Sequence, residues 1–265
     1  VIIPIASLDD PRLDPYRELK KTNQSRDAGW FIAEGRHVAR RMLASRTEVV
    51  SVLLAEHAVA GFAQEVPDAI PVLVLPDDQV DRLVGFEFHA GIIACGRRSR
   101  VRSLVEQSDV LARPRLTLVA CPHTILPDNL GSIIRICSAF GADALLVGED
   151  STDPFTRRTI RVSMGNIFEL PIVEPRSLIR ELSLLKDEHR VEMIAATGHR
   201  DGKPLPVPRP APRIALLLGH EAHGLSDEVL KLSDLRVTIP MSGRTDSLNV
   251  ANAAAVLLYQ FTRVG

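Results

Sequence analysis

Short apolar runs separated by amphipathic stretches recur along the whole chain. In the rear half, residues 116–120, 144–147, 192–196 and 214–218 are mostly apolar and do not alternate with polar positions, and 236–239 is a fifth short strand-like run, with Arg236 and Thr238 between its apolar positions. Helix-length segments lie between them. Continuous apolar runs joined by helices predict strands of a parallel sheet buried on both faces. In the front half, 30–33, 49–55, 71–75 and 91–95 read as strands. Residues 15–25, 36–45 and 77–83 read as helices. Within 36–45, Val38, Met42 and Leu43 fall on one face, and Asp77 offers an acidic N-cap to 77–83. The front half is thus a smaller α/β unit.

Arg97, Arg98, Arg100 and Arg102 follow the last front strand, and a polar segment runs to Pro114. This stretch reads as a linker holding a short helix at 104–111. The expected organisation is a small domain over 1–98, a linker over 99–114 and a larger domain over 115–265. Five prolines at alternate positions in 203–212 predict an extended loop. There is no internal repeat.

Three rear segments pass from strand to turn to helix in the same manner. In Ile239-Pro240-Met241-Ser242-Gly243-Arg244-Thr245-Asp246-Ser247-Leu248-Asn249-Val250-Ala251, a strand enters a proline and a small-residue loop. Ser247 and Asn249 then stand two apart where an Ala-rich helix begins. Asn129-Leu130-Gly131-Ser132-Ile133-Ile134-Arg135 and Leu218-Gly219-His220-Glu221-Ala222-His223-Gly224-Leu225 share that setting. Such junctions offer free backbone N–H groups. Ligands of open parallel sheets bind beyond the carboxyl ends of the strands. The three junctions therefore predict one composite site. Gly131, Gly219, Gly224 and Gly243 allow close backbone approach. Neither a phosphate-loop lysine signature nor a dinucleotide Gly-x-Gly-x-x-Gly follows a strand. A ligand held by backbone contact without a phosphate cradle is favoured, and an adenosine-type cofactor with a sulfonium centre suits that description.

Bulk properties narrow the picture modestly. The chain is 45% hydrophobic and 25% charged, as in ordinary globular proteins. Its formal charge of −1 supplies no global field toward nucleic acid or membrane, so RNA binding must use local patches. Cys95, Cys121 and Cys137 are odd in number and widely spaced, which suggests reduced thiols in a cytoplasm. No apolar run reaches membrane-spanning length. The opening Val-Ile-Ile-Pro-Ile is too short for a signal peptide, and a start at Val1 suggests a trimmed or incomplete N-terminus. His220-Glu221-Ala222-His223 is one residue short of the spacing that puts two zinc-binding histidines on one helical face. Supporting ligands are missing, so no metal is expected.

Taken in order, the three junctions resemble the three motifs of the SpoU (TrmH-type) RNA ribose methyltransferases of the SPOUT superfamily. The first continues through Ala139-Phe140-Gly141-Ala142, and the likeness covers residues 116–261. Phe31-Ile32-Ala33-Glu34-Gly35-Arg36-His37-Val38 resembles the Phe, Glu-Gly and Val signature of the L30e-like RNA-binding domain often fused to that catalytic domain. The resemblance implies a C-terminal parallel-sheet SPOUT domain with a trefoil knot. It implies S-adenosylmethionine in the knot loops, a homodimer through that domain, and methylation of a ribose 2′-hydroxyl of structured RNA in the cytoplasm. The two-domain form looks more like the ribosomal-RNA enzymes than the compact tRNA enzymes. A tRNA 2′-O-methyltransferase and a non-catalytic ribosome-assembly factor on the same fold are the alternatives, with a nicotinamide oxidoreductase more distant.

Residue by residue, the resemblance implies a catalytic set of Asn129, Arg135, Glu221, Ser247 and Asn249. It implies cofactor contacts from Leu218, Gly219, His220, Gly224, Ile239, Met241, Ser247 and Leu248. Arg26, Arg36, Arg40, Arg41, Arg157 and Arg158 are the candidate RNA contacts, with Lys20, Lys21 and Arg161 beside them. Each has a plainer reading. Asn129, Ser247 and Asn249 serve equally as helix caps, the aliphatic residues as core, and the arginines as a solvated face. Arg135 is the family's central residue, often given as general base, yet guanidinium is effectively always protonated. Either the nearby sulfonium depresses that protonation, or Arg135 holds a phosphate and orients the hydroxyl. The second motif departs from the family at His220, Ala222 and His223, where Ser or Asn, Gly and a basic residue are common. That departure bears on cofactor affinity and its pH dependence.

Overall fold

The structure is a computed structural model that describes residues 1–19, 29–98, 100–198, 202–208, 211–220, 222–242 and 247–262. It divides into two compact units, Val1–Ser99 with Phe155–Glu169, and Arg100–Pro154 with Leu170–Gly265.

The first unit is built on a mixed sheet. Its strands are β1 (Ile2–Pro4), β2 (Trp30–Glu34), β3 (Val49–Ala55), β4 (Val72–Leu75) and β5 (Ile92–Arg97), in the order β1-β4-β3-β5-β2. β1, β4 and β3 are parallel, while β5 runs antiparallel to both β3 and β2. Helices α1 (Arg36–Ala44), α2 (Glu56–Phe62) and α3 (Asp77–Val84) connect the strands. Gly35 holds φ +85° at the head of α1, a conformation that favours glycine and explains the Glu34-Gly35 step. Leu13, Tyr16, Leu53, Leu73 and Ile93 lie in the core.

Two expectations are corrected here. The helix expected over 15–25 is instead a 3₁₀ turn at Pro11–Tyr16, with Asp10 accepting from Arg12 N at its head. Arg17 is extended and Glu18 holds φ +46°, outside the right-handed helical region, so the helix cannot run on, and residues 20–28 lie outside the described residues. Asp77 does not cap α3. The cap position is Pro76, and the Asp77 carboxylate instead faces His57 Nδ1 at 2.9 Å.

In the second unit, α4 (Ser108–Leu111), β6 (Leu116–Cys121), α5 (Pro127–Ala139) and β7 (Ala144–Val147) come first. The segment Phe155–Glu169, which carries α6 (Arg157–Val162), belongs to the first unit. The chain then continues as β8 (Ile172–Val173), α7 (Leu178–Asp187), β9 (Glu192–Ala196), β10 (Lys203–Pro204), β11 (Arg213–Leu217), α8 (Asp227–Leu232), β12 (Leu235–Thr238) and α9 (Val250–Thr262). The seven strands form one sheet in the order β10-β12-β9-β11-β6-β7-β8, with every pairing parallel. All residues of β7 are buried, as a strand covered on both faces requires. Leu118, Leu146, Leu182, Met193 and Leu217 belong to the core.

The expected boundaries change in two places. Residues 155–169 leave the rear domain because Phe155 and Phe168 sit against Phe31 of β2, with ring centroids 5.1 and 5.7 Å apart. The stretch 99–114 is not a free linker. Leu104 and Val110 are buried in the second unit's core, and Glu181 Oε1 accepts from Leu104 N at 2.7 Å. The extended loop at 203–212 contributes β10, whose Lys203 and Pro204 register with Val237 and Thr238.

Candidate active site

β12, β9, β11 and β6 are neighbours in an all-parallel sheet, so their carboxyl ends emerge side by side. Two of the expected junctions, after β11 and β12, flank the end of β9, and the third follows β6.

The β6–α5 loop is pinned locally. Thr124 N donates to Ser151 Oγ at 2.9 Å, and Ser151 Oγ donates to Cys121 O at 3.1 Å. Pro127 opens α5, where a missing N–H costs nothing. Asn129 lies inside the first turn and is 7% exposed. It does not cap the helix, because the cap position is Leu126. Instead Asn129 Oδ1 accepts from Asn249 Nδ2 at 2.9 Å. Asn249 Oδ1 accepts from Ala251 N at 2.9 Å, which caps α9 and orients the amide so that its nitrogen faces Asn129. One side chain thus caps a helix and ties the first junction to the third.

The β11 junction is a tight turn. His220 N donates to Gly224 O and Gly224 N to His220 O, both at 2.9 Å. A methyl on Gly219 would stand 2.5 Å from Gly224 C and 2.7 Å from Leu225 N, so the turn packs on bare backbone. The His220 ring folds back, and its Nδ1 accepts from Ala222 N at 2.9 Å and His223 N at 3.3 Å. His123, from the β6–α5 loop, and His223 lie 4.7 and 4.9 Å from that ring by centroid.

Between these junctions is a cavity of about 370 Å³. Leu218, Gly219, His220 and Gly224 line it from the second junction, and Ile239, Met241, Ser247 and Leu248 from the third. Every residue expected at the cofactor therefore faces one space. The sequence reading missed Ala196, Thr197 and Gly198 at the end of β9, and Val250, Ala253 and Leu257 of α9. The signal for the first group was an apolar strand running into Ala196-Thr197-Gly198. For the second it was the apolar, Ala-rich character of the last helix.

The catalytic candidates are distributed less simply. Ser247 lines the cavity, and Asn129 and Asn249 are bonded to each other. Arg135 is exposed on α5. Six residues on from Asn129 is about 240° around a helix, so the two side chains leave different faces. Among the described residues the Arg135 side chain has no hydrogen bond or ion pair. Glu221, Gly243, Arg26, Lys20 and Lys21 lie outside the described residues. No group of three ligand-type side chains among the described residues is placed to hold a metal ion.

Several candidate RNA contacts already have partners in the first unit. Arg36 Nη1 donates to Gly61 O at 2.6 Å and stands 3.1 Å from Glu65 Oε1. Arg40 forms a two-pronged pair with Glu65. Arg41 donates to Met164 O at 3.2 Å and reaches Glu169 at 3.6 Å. Arg157 departs most from the expected solvated face. Its Nη1 is 2.7 Å from Glu34 Oε1, off the line of a hydrogen bond, and its guanidinium lies 5.1 Å from the Phe86 ring centre. Burial lowers its basicity, and the Glu34 carboxylate works the other way. Arg158 and Arg161 are exposed.

A cleft at the carboxyl ends of parallel strands, walled by aliphatic side chains and glycine-rich backbone, defines an α/β protein that binds a nucleoside-sized ligand. The SpoU rRNA Methylase family matches residues 117–259, a span that contains all three junctions. A relative named as an uncharacterised tRNA/rRNA methyltransferase of Mycobacterium bovis is 37% identical over 97% of this chain and 90% of its own length. The 23S rRNA (guanosine(2553)-2′-O)-methyltransferase RlmP of Bacillus subtilis is 27% identical over 96% of this chain and 97% of its own. The crystal structure of the SpoU methyltransferase AviRb from Streptomyces viridochromogenes in complex with AdoMet superposes with a TM-score of 0.82. It covers 96% of this chain and 98% of its own at 23% identity. The chain belongs to the SpoU rRNA methylase family and is an RNA methyltransferase.

Proposed function

We propose that this protein transfers a methyl group from S-adenosylmethionine to a ribose 2′-hydroxyl of ribosomal RNA. The observation that carries this reading is the convergence of the second and third junctions on one cavity of about 370 Å³. The Asn129–Asn249 hydrogen bond brings the first junction to them. The volume lies within the range of small-molecule sites. Leu218, Ile239, Leu248 and Leu257 offer apolar walls for an adenine, and the glycine-lined backbone offers donors and acceptors to its edge. RlmP, by its name, methylates a 2′-hydroxyl of 23S rRNA, and AviRb binds AdoMet.

When bound, the cofactor supplies an already activated methyl on a sulfonium. The protein's task is then positioning and electrostatics. The Asn129–Asn249 pair fixes the two junctions that frame the cleft, and Ser247 presents a hydroxyl to it. Arg135, as a permanent cation, holds a phosphate and orients the ribose, and the proton leaves to water. On α9, Val256 and Tyr259 are 40% and 49% exposed, and Tyr259 makes an edge contact with Phe140 just beyond α5. An exposed apolar face on α9 suits a second copy of the chain, so we read the enzyme as a homodimer through this unit. The C-terminal segment is read as the knotted part of the fold, and the first unit as the module that captures structured RNA. No helix among the described residues is long and apolar enough to cross a membrane. Cys95, Cys121 and Cys137 are buried thiols outside any disulfide among the described residues, and the cytoplasm is the fitting compartment.

The test is transfer of labelled methyl from S-adenosylmethionine to total ribosomal RNA and total tRNA, with Arg135→Ala alongside. Label in ribosomal RNA that the variant abolishes supports the proposal, and alkali-resistant dinucleotides then locate the ribose. Label confined to tRNA refutes the substrate. Cofactor binding without transfer to free RNA or ribosomal particles favours an assembly factor.

A further inference from the structure

A ring nitrogen of His220 is built into the turn that walls the cofactor cavity. The turn closes through paired backbone hydrogen bonds between His220 and Gly224, both 2.9 Å. Nδ1 of His220 adds two more by accepting from Ala222 N at 2.9 Å and His223 N at 3.3 Å. An imidazole nitrogen that accepts carries no proton, so the ring is neutral with its hydrogen on Nε2. A second proton would turn this acceptor into a donor aimed at two donors. Among the described residues, the titratable rings packed against it are His123, from the β6–α5 loop, and His223, from the turn itself; Glu221, next along the turn, lies outside the described residues. The two ring centroids are 4.7 and 4.9 Å away. A proton on either neighbour places positive charge against the same ring. Gly219, His220, Ala222 and Gly224 all line the cavity, so the shape of this turn is part of the cavity wall.

We propose that His220 is a positioning residue that shapes the cofactor turn only in its neutral form, so that cofactor affinity is coupled to its deprotonation. The inference rests on reading the cavity as the S-adenosylmethionine site. An asparagine at this position could offer its Oδ1 to the same N–H groups without titrating. Histidine provides the same acceptor with a proton-dependent off-state. The sign follows directly. Cofactor binding selects the deprotonated ring, so affinity is full at high pH and falls as pH drops through the imidazole range.

The experiment is calorimetric titration of the full-length protein with S-adenosylmethionine from pH 5.5 to 7.5, in buffers of differing ionisation enthalpy. The expected results are an affinity that weakens several-fold toward pH 5.5 and a net release of protons on binding at the acidic end of the range. His220→Asn should bind with a flat pH profile, and His220→Ala should bind weakly throughout. His123→Asn and His223→Asn should keep the slope. A wild-type affinity independent of pH, or binding without proton release, overturns the proposal even if the variants fail to fold. A slope that survives in His220→Asn but vanishes in His223→Asn also overturns it, by moving the coupling to the neighbouring ring. Absence of binding at every pH refutes the cofactor site itself, a result distinct from pH-independent binding.

Discussion

Gly219→Ala is the sharpest structural perturbation available in the cofactor turn. The added methyl would sit 2.5 Å from Gly224 C, 2.7 Å from Leu225 N and 2.8 Å from Gly224 Cα. All three atoms are backbone, so no side chain can swing away. Carbon atoms settle at about 3.5–4.0 Å, so the Gly224 strand of the turn must retreat by roughly 1 Å. That movement pulls directly on the two 2.9 Å hydrogen bonds between His220 and Gly224. Overpacking costs about 1–3 kcal/mol and each of the two hydrogen bonds about 1 kcal/mol, so a total of about 3–5 kcal/mol is expected if both are lost. If the turn stays in place, the cost appears as lost stability. If the turn yields, it appears as lost cofactor affinity. Urea unfolding and calorimetric titration with S-adenosylmethionine, run on the same preparation, read both. Gly198→Ala is the control, because its added methyl would meet nothing within 4 Å although Gly198 also lines the cavity. That variant should keep its stability. The reasoning fails if Gly219→Ala changes unfolding free energy by less than about 0.5 kcal/mol and leaves the affinity within twofold, since ordinary surface substitutions do no more.

Other consequences of the structure are as direct. Asn129→Ala removes the acceptor of Asn249 Nδ2 and should cost about 1–3 kcal/mol of stability as well as methyl transfer. In a double-mutant cycle, Asn129→Ala and Asn249→Ala should couple by about 1 kcal/mol, and strict additivity in urea unfolding would disprove the pairing. Arg157→Ala leaves Glu34, whose side chain is 9% exposed, without its cation; a loss of about 2–4 kcal/mol is expected, and Glu34→Gln in the same background should recover part of it. Burial pushes the Cys95 thiol up to about 12 and holds Cys137 and Tyr16 well above their ordinary ranges. These groups stay protonated in the fold and ionise when unfolded. Stability should therefore be full below about pH 8.5 and fall above it, by up to about 1.4 kcal/mol per pH unit for each group. Unfolding curves between pH 8 and 11 check this, and an aromatic disulfide reagent at pH 8 should find no thiol until the protein is denatured.

The sequence by itself determined the elements that depend on neighbours along the chain. β7 falls where a continuous apolar run predicted it, because a strand buried on both faces must be apolar at every position, and β9 follows through its buried Met193, Ile194 and Ala195, with Glu192 half-buried at its start. The three junctions were equally visible, since strand, small-residue turn and helix are local patterns. Parallel strands then guarantee that their ends share one edge. Tertiary structure decided what depends on contacts between distant residues. Periodicity could not show that Phe155 and Phe168 pack on Phe31, nor that Leu104 is buried with its N–H on Glu181, because no local pattern encodes a distant partner. It could not tell Asn129 as a helix cap from Asn129 as the partner of Asn249, 120 residues away. Nor could it show that the histidine replacing the family's usual small polar residue turns its ring back onto its own turn. That ring orientation requires two backbone N–H groups to converge on one nitrogen, and only the folded backbone brings them there.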